Sequence, residues 1–313
     1  MDMSYPTARA TSLWALCFAI LLIFSQSALG QTPQANNPNS SPESTPTPTP
    51  TPTPARSLEK DFFVNILRDQ RAIWTSPFHL NRGDAKWGIP LTLSFAGLLA
   101  SDRHTSGSLV KNGDNLSRLR ISRDISHLGA AYTTGGVAAG FYLIGRATHN
   151  ARARETGVLA MESLVDSTIV VEALKGVSQR QRPTVDDSSG EFFDGGSGFP
   201  SGHTITAWSV ATVIAQEYGH HRPLVRFGAY GLATAVGIAR YTGRNHFLSD
   251  VLVGGAMGYG IGRYVYRKRH DPALDSLNGK RTGGPFHSRL FPLVAPRYNP
   301  ATQTYGAMLA WEF

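Results

Sequence analysis

The 313-residue chain has one cysteine, Cys17, inside an apolar run near its start. No disulfide can therefore form within the chain, so core packing must hold whatever folds. Long uncharged apolar runs are also scarce. Leu128 to Gly145 carries no charge and approaches spanning length, but other apolar segments are nearer about 12 to 16 residues, and Glu162, Asp166 and Glu172 interrupt another. Acidic residues are outnumbered, 22 Asp and Glu against 30 Lys and Arg. The resulting charge of +8 agrees with an anionic lipid surface or an anionic substrate. No nucleic acid partner is expected. The adjacent His220 and His221 have no cysteine or carboxylate at ligand spacing, so they read as a solvated loop rather than a metal site.

What the chain does contain falls into four stretches. Residues 1–30 place Arg9 before an apolar run from Leu13 to Phe24 and then Ser27-Ala28-Leu29-Gly30, the charge, core and small-residue order of an export signal. An uncleaved anchor is the alternative. Residues 31–56 end in a Thr-Pro alternation from Thr45 to Pro54, which cannot build a core and favours extended polyproline geometry: a linker. Over residues 57–270, helix-length apolar segments are separated by Gly, Pro and charge. They are the stripe Phe63, Ile66, Leu67, Ile73, Trp74, and then Leu91–Ala100, Leu128–Ile144, Val158–Leu174, Ile205–Ala215, Gly228–Ala239 and Val251–Val265. The pattern predicts an all-α helical bundle of about six core helices. In the tail, residues 271–313, Tyr305 to Phe313 alternates and Leu290 to Pro296 could pair with it across Asn299-Pro300, so a short C-terminal β-hairpin is expected.

Three short clusters carry the chemistry: Lys175 with Arg182-Pro183, then Pro200-Ser201-Gly202-His203, then Arg240 with His246 and Asp250. Arg182 and Arg240 can each offer a planar fork to two phosphate oxygens, and Lys175 adds a point charge. Ser201, Gly202 and His203 precede a helical run, so an anion can approach the first unpaired amides of that helix. His246 and Asp250 are four apart and stack on one helix face, where the carboxylate can fix the tautomer of the imidazole. One imidazole would then attack phosphorus while the other donates a proton, with no metal required. Glu162 and Asp166 share the same four-residue spacing. They read as a polar face, or as partners of nearby arginines, rather than as an acid pair.

Lys175-x6-Arg182-Pro183, Pro200 to His203 and Arg240-x5-His246-x3-Asp250, in that order, resemble the signature of the type 2 phosphatidic acid phosphatase and vanadium haloperoxidase superfamily. Ala239 departs from it, standing where that family usually has Ser. The resemblance implies the same helical architecture and a metal-independent phosphatase without cofactor, acting on a phosphate monoester or diphosphate. The substrate would be a phosphorylated lipid or a small phosphoester. It also implies roles: His246 as nucleophile, Asp250 as its orienter, His203 as general acid, and Lys175, Arg182, Arg240, Ser201 and Gly202 as the phosphate clamp. A vanadium-dependent haloperoxidase, which uses the same constellation, and a catalytically weak envelope-binding protein are the alternatives. The arginines gathered in residues 146–154, 220–226 and 263–269 place the catalytic loops on the outer side of a membrane if the later helices span it. The expected location is the bacterial cell envelope, membrane-integrated or membrane-associated, with the site facing the periplasm or the outside.

Overall fold

A computed structural model describes residues 59–79, 85–111, 115–185, 189–220, 222–275, 293–299 and 304–310. The expected export signal and the Thr-Pro linker lie outside the described residues. Two compact units are present, one ending at His270 and the other beginning at Asp271.

In the first unit the described residues form eight α-helices: α1 (Phe62–Thr75), α2 (Ala85–Lys111), α3 (Leu116–Ser126), α4 (Ala131–Ala147), α5 (Ala151–Ser178), α6 (Gly202–Tyr218), α7 (Pro223–Thr242) and α8 (Leu248–Arg269). Short 3-10 turns follow α1 at Ser76–His79 and α3 at His127–Gly129. Local chemistry sets the boundaries. The Asn115 and Asn150 side chains accept from the Arg118 and Ala153 amides, so each caps its helix, α3 and α5. Pro223 opens α7, where its missing N–H costs nothing. Gln179, in the left-handed region at φ 43°, ends α5 and turns the chain into the loop that runs to Ser201.

The core is a bundle with α5 and α6 at its centre. Leu159, Ala160, Leu164, Val170 and Val171 of α5 pack with Ala138 of α4, Ile205, Val210 and Val213 of α6, and Ile261 and Val265 of α8. A second cluster joins Ala207 and Ala211 of α6 to Ala233 and Val236 of α7. Helix α8 lies so close to α6 that a Cβ at Gly258 would stand 2.3 Å from the Ile205 carbonyl oxygen, and one at Gly262 would stand 2.4 Å from that of Ser209. Only glycine permits this approach, and it fixes the start of α8 against the start of α6. The expected all-α bundle is what forms. One helix was not expected: α3, a polar segment with arginines at 118, 120 and 123.

In the second unit, β1 (Leu293–Asn299) pairs antiparallel with β2 (Thr304–Ala310), from Leu293 opposite Ala310 to Asn299 opposite Thr304. Of the stretch expected to pair, residues 290–292 lie outside the described residues, and the strand runs past Pro296 to Asn299. Pro296 sits inside it opposite Ala307, which a two-stranded ribbon tolerates because both strands are edges.

Candidate phosphate site

The three sequence clusters meet where four helix ends converge: the C-terminus of α5, the N-terminus of α6, the C-terminus of α7 and the N-terminus of α8. Lys175 sits in the last turn of α5, half-buried, with Nζ 2.8 Å from Glu172 Oε1. A Cβ on Gly202 would lie 3.4 Å from that same Nζ, so the ammonium stands over the first residue of α6. Ser201 is fully buried. Its hydroxyl pairs with the Thr204 hydroxyl at 2.9 Å and makes no cap bond, which leaves the first-turn amides of α6 open toward Lys175.

His246 is 2 % exposed. Its Nδ1 lies 2.7 Å from the Gly198 carbonyl oxygen. A carbonyl carries no hydrogen, so Nδ1 must donate, and the lone pair of a neutral imidazole is then on Nε2. Burial pulls the His246 pKa below its ordinary value, against the Asp250 carboxylate and the Gly198 carbonyl, which pull upward. The ring is thereby held neutral and nucleophilic.

Asp250 stands differently from the sequence expectation. Its Oδ2 is 3.7 Å from His246 Nδ1, within ion-pair range but longer than a hydrogen bond. That oxygen accepts the Phe247 amide at 2.8 Å, capping α8, while Oδ1 accepts Arg180 Nη1. Tautomer selection therefore falls to the Gly198 carbonyl, delivered by the loop between α5 and α6. That loop is pinned by its own backbone: Gly198 donates to the Arg180 carbonyl at 2.7 Å and Gln181 to Glu191 at 2.9 Å.

His203 faces a ring of positive groups. Burial first, and then Arg240, His246, His127 and Lys175, push its pKa down to about 4. Arg240 is 9 % exposed with Nε lacking a partner, and burial together with the neighbouring Arg182 lowers it to about 10. Arg182 reaches Ser197 Oγ at 3.3 Å. Arg182, Arg240, Lys175 and the histidines thus gather positive charge in one place, which suits an anion. Ala239 is buried in α7 beside this group.

Two participants escaped the sequence analysis. Arg180, 2 % exposed, is the larger. Nη1 binds Asp250 Oδ1 and Ser249 Oγ, Nη2 binds Asp102 Oδ2 at 2.8 Å, and Nε binds the Gly190 carbonyl at 3.1 Å. The guanidinium lies between the rings of Phe192 and Phe247, 4.8 and 4.3 Å from their centroids. His127 is the other, close enough to His203 to lower its pKa and bonded through Nδ1 to the Tyr132 hydroxyl at 2.6 Å. Glu162 and Asp166 lie not on a solvated polar face but fully buried in the bundle, and Glu162 has the other expected setting, an arginine partner, with Arg269 Nε 3.0 Å away.

Residues 156–272 match the family model described as PAP2 superfamily. A lipid A 1-phosphatase from Porphyromonas gingivalis is 41 % identical over 68 residues, which are 22 % of this chain and 15 % of that protein. The match thus spans under a sixth of the relative's length. Two solved structures are also similar, each 20 % identical. They are the transmembrane PAP2 type phosphatidylglycerolphosphate phosphatase from Bacillus subtilis (TM-score 0.41, covering 72 % of this chain and 98 % of that one) and Aquifex aeolicus LpxE (TM-score 0.40, covering 53 % and 94 %).

Proposed function

We propose that the protein is a phosphoric ester hydrolase of the PAP2 type that works without a metal, on a phosphate monoester or diphosphate carried by a lipid. The observation that carries this is the buried His246, whose Nδ1–H is spent on the Gly198 carbonyl while its ring is kept neutral beside a cluster of cations, Arg240 with its Nε unbonded, Arg182 and Lys175. A phosphate seated among Lys175, Arg182, Arg240 and the open amides of Gly202 and His203 would have its charge neutralised. His246 Nε2 then attacks phosphorus and the bond to the leaving oxygen breaks, with His203, protonated once the phosphate charge offsets the cations around it, supplying the proton that the leaving oxygen takes. In the second step water attacks, His203 recovers a proton from it, and the P–N bond breaks to release phosphate and the original imidazole. Asp250 contributes as a fixed negative charge near His246, which stabilises the imidazolium character that develops.

A lipid substrate is supported by the relative's name and by the outer surface. Phe63 and Leu67 of α1, Phe78 beyond it, and Leu224 and Phe227 of α7 are each more than two-thirds exposed, apolar area suited to a lipid interface. Among the described residues no helix is long and apolar enough to cross a membrane. We place the protein at the bacterial envelope membrane, with the site facing outward.

The test is a rapid quench into alkaline denaturant with a radiolabelled phosphate ester, followed by acid treatment of the recovered protein. Wild-type protein should retain acid-labile label and His246→Ala should retain none, with turnover lost. EDTA should leave the chemical step unchanged when it is assayed far below the melting temperature. Turnover by His246→Ala, or a magnesium requirement in that step, would remove the reading.

A further inference from the structure

Buried charge elsewhere in the bundle plays no part in the phosphate site. Asp69 of α1, Glu162 and Asp166 of α5 and Arg269 at the end of α8 meet in the interior, none more than 6 % exposed. Asp166 lies about 13 Å along α5 from Lys175, at 1.5 Å per residue. Three carboxylates share one guanidinium. Arg269 Nη2 donates to Asp69 Oδ1 at 2.7 Å, and its Nε stands 3.0 Å from Glu162 Oε1 without hydrogen-bond alignment. Gln70 Nε2 donates to Asp166 Oδ1 at 2.9 Å. Asp69 Oδ2, Asp166 Oδ2 and both Glu162 oxygens remain buried with no hydrogen-bond partner.

A separate feature points the same way. Asn65, one turn before Asp69 on α1, is 1 % exposed, and neither its amide oxygen nor its amide nitrogen has a partner. Together with Asp69, Arg269, Tyr264 and the exposed Arg68 and Lys268 it lines a cavity of about 200 Å³. Buried amides are normally satisfied, by protein or by an ordered guest. The cavity also has room for water beside such a guest.

We infer that this chamber binds one hard divalent cation, best matched by calcium, through Asp69, Glu162, Asp166 and the Asn65 amide oxygen. The ligand set is all oxygen, which selects calcium, magnesium or manganese over softer metals. The three carboxylates can each present an oxygen within 4.8 Å of the others, the span of two calcium–oxygen bonds of about 2.4 Å. One guanidinium against three carboxylates leaves two negative charges, which a divalent ion balances. Arg269 and Gln70 already hold the outer oxygens of Asp69 and Asp166, the arrangement that orients carboxylate ligands inward. The ion is structural: it ties α1 to α5 beside the end of α8, away from the phosphate chemistry.

The experiment uses the full chain, dialysed against EDTA and then against calcium, with bound metal counted by mass spectrometry and melting followed by circular dichroism. Wild-type protein should hold one calcium per chain and melt higher as calcium rises. Glu162→Gln and Asp166→Asn should each weaken binding by more than about tenfold, whereas His246→Ala should bind as wild type does, which separates this site from the phosphatase reading. Asn65→Asp adds a ligand charge: it should melt lower without calcium and show a larger calcium-induced rise. No bound ion and no change in melting at millimolar calcium, magnesium or manganese would overturn the inference. Binding that survives both carboxylate replacements, or a calcium-induced rise unaltered by Asn65→Asp, would do the same.

Discussion

Arg180 is the place where the stability of the fold and the geometry of the site are one question. Its guanidinium is 2 % exposed and holds two carboxylates, those of Asp102 and Asp250, that are no more than 1 % exposed. Arg180→Ala would leave both buried and unpaired, which costs about 3–5 kcal/mol for the broken pair. Loss of the contacts to Phe192 and Phe247 adds about 1 kcal/mol or more. The total, about 5 kcal/mol, rivals the whole net stability of a typical domain. Arg180→Lys keeps the charge but not the fork and should fall between the two, at about 2 kcal/mol. Urea unfolding followed by circular dichroism in phosphate-free buffer measures all three proteins. The diagnostic variant is the double replacement Arg180→Ala with Asp102→Asn, which removes one of the stranded charges and should recover about 1–3 kcal/mol relative to Arg180→Ala alone. A loss below about 1 kcal/mol in Arg180→Ala, or no recovery in the double variant, would refute the argument that this network is buried and paired as described.

Two further expectations follow from the pocket's positive charge. His203 is lowered from 6.5 to about 4 in the folded protein, so the unfolded chain binds the extra proton in that window. Its contribution to stability is complete above pH 6.5 and is lost as pH falls toward 4, by about 2–3 kcal/mol in all; His203→Gln should flatten this limb of a stability–pH curve, and a curve unchanged by the substitution would refute the assignment. Arg240→Met should move stability and activity in opposite directions. It removes a cation that burial and Arg182 disfavour, so the empty protein should melt no lower, while turnover falls at least about a hundredfold and phosphate-induced stabilisation disappears. Ala239→Ser on the same helix should change the rate only a few-fold to about tenfold, and equal effects for the two would mean that Arg240 does not contact phosphate.

The spacing of residues carried more of the site than of the frame around it. Lys175, Arg182, His203, Arg240 and His246 could be read because each has a short local pattern, and folding only had to bring four helix ends together. The helices were legible where an apolar run of helix length marked them, as in α6 and α8. Helix α3 was not, since its arginines mask the periodicity and only the Asn115 cap marks its start. Arg180 was hidden for another reason. It sits two residues before Arg182 with nothing local to say that one points inward and the other toward the phosphate pocket, and its partner Asp102 is 78 positions away on α2. Glu162 and Asp166 show the limit of an i, i+4 pattern: the spacing is the same for a solvated face and for a buried polar seam, and only the packing of α1 and α8 against that face of α5 decides between them.

The tautomer of His246 shows why that hidden frame matters for chemistry. The hydrogen bond that fixes it comes from a loop carbonyl, Gly198, and not from the carboxylate four residues away. Asp250 is free to serve as the cap of α8 and the anchor of Arg180 because the loop has taken over orientation. The loop in turn is held where Arg180 accepts the Gly198 amide through its own carbonyl and binds Gly190 through Nε. One residue therefore fixes both the carbonyl that aims the nucleophile and the carboxylate that stabilises its charge. The cations of the site stand close enough to repel one another, and the paired network of Arg180 holds Asp250 and the Gly198 carbonyl in place beside them.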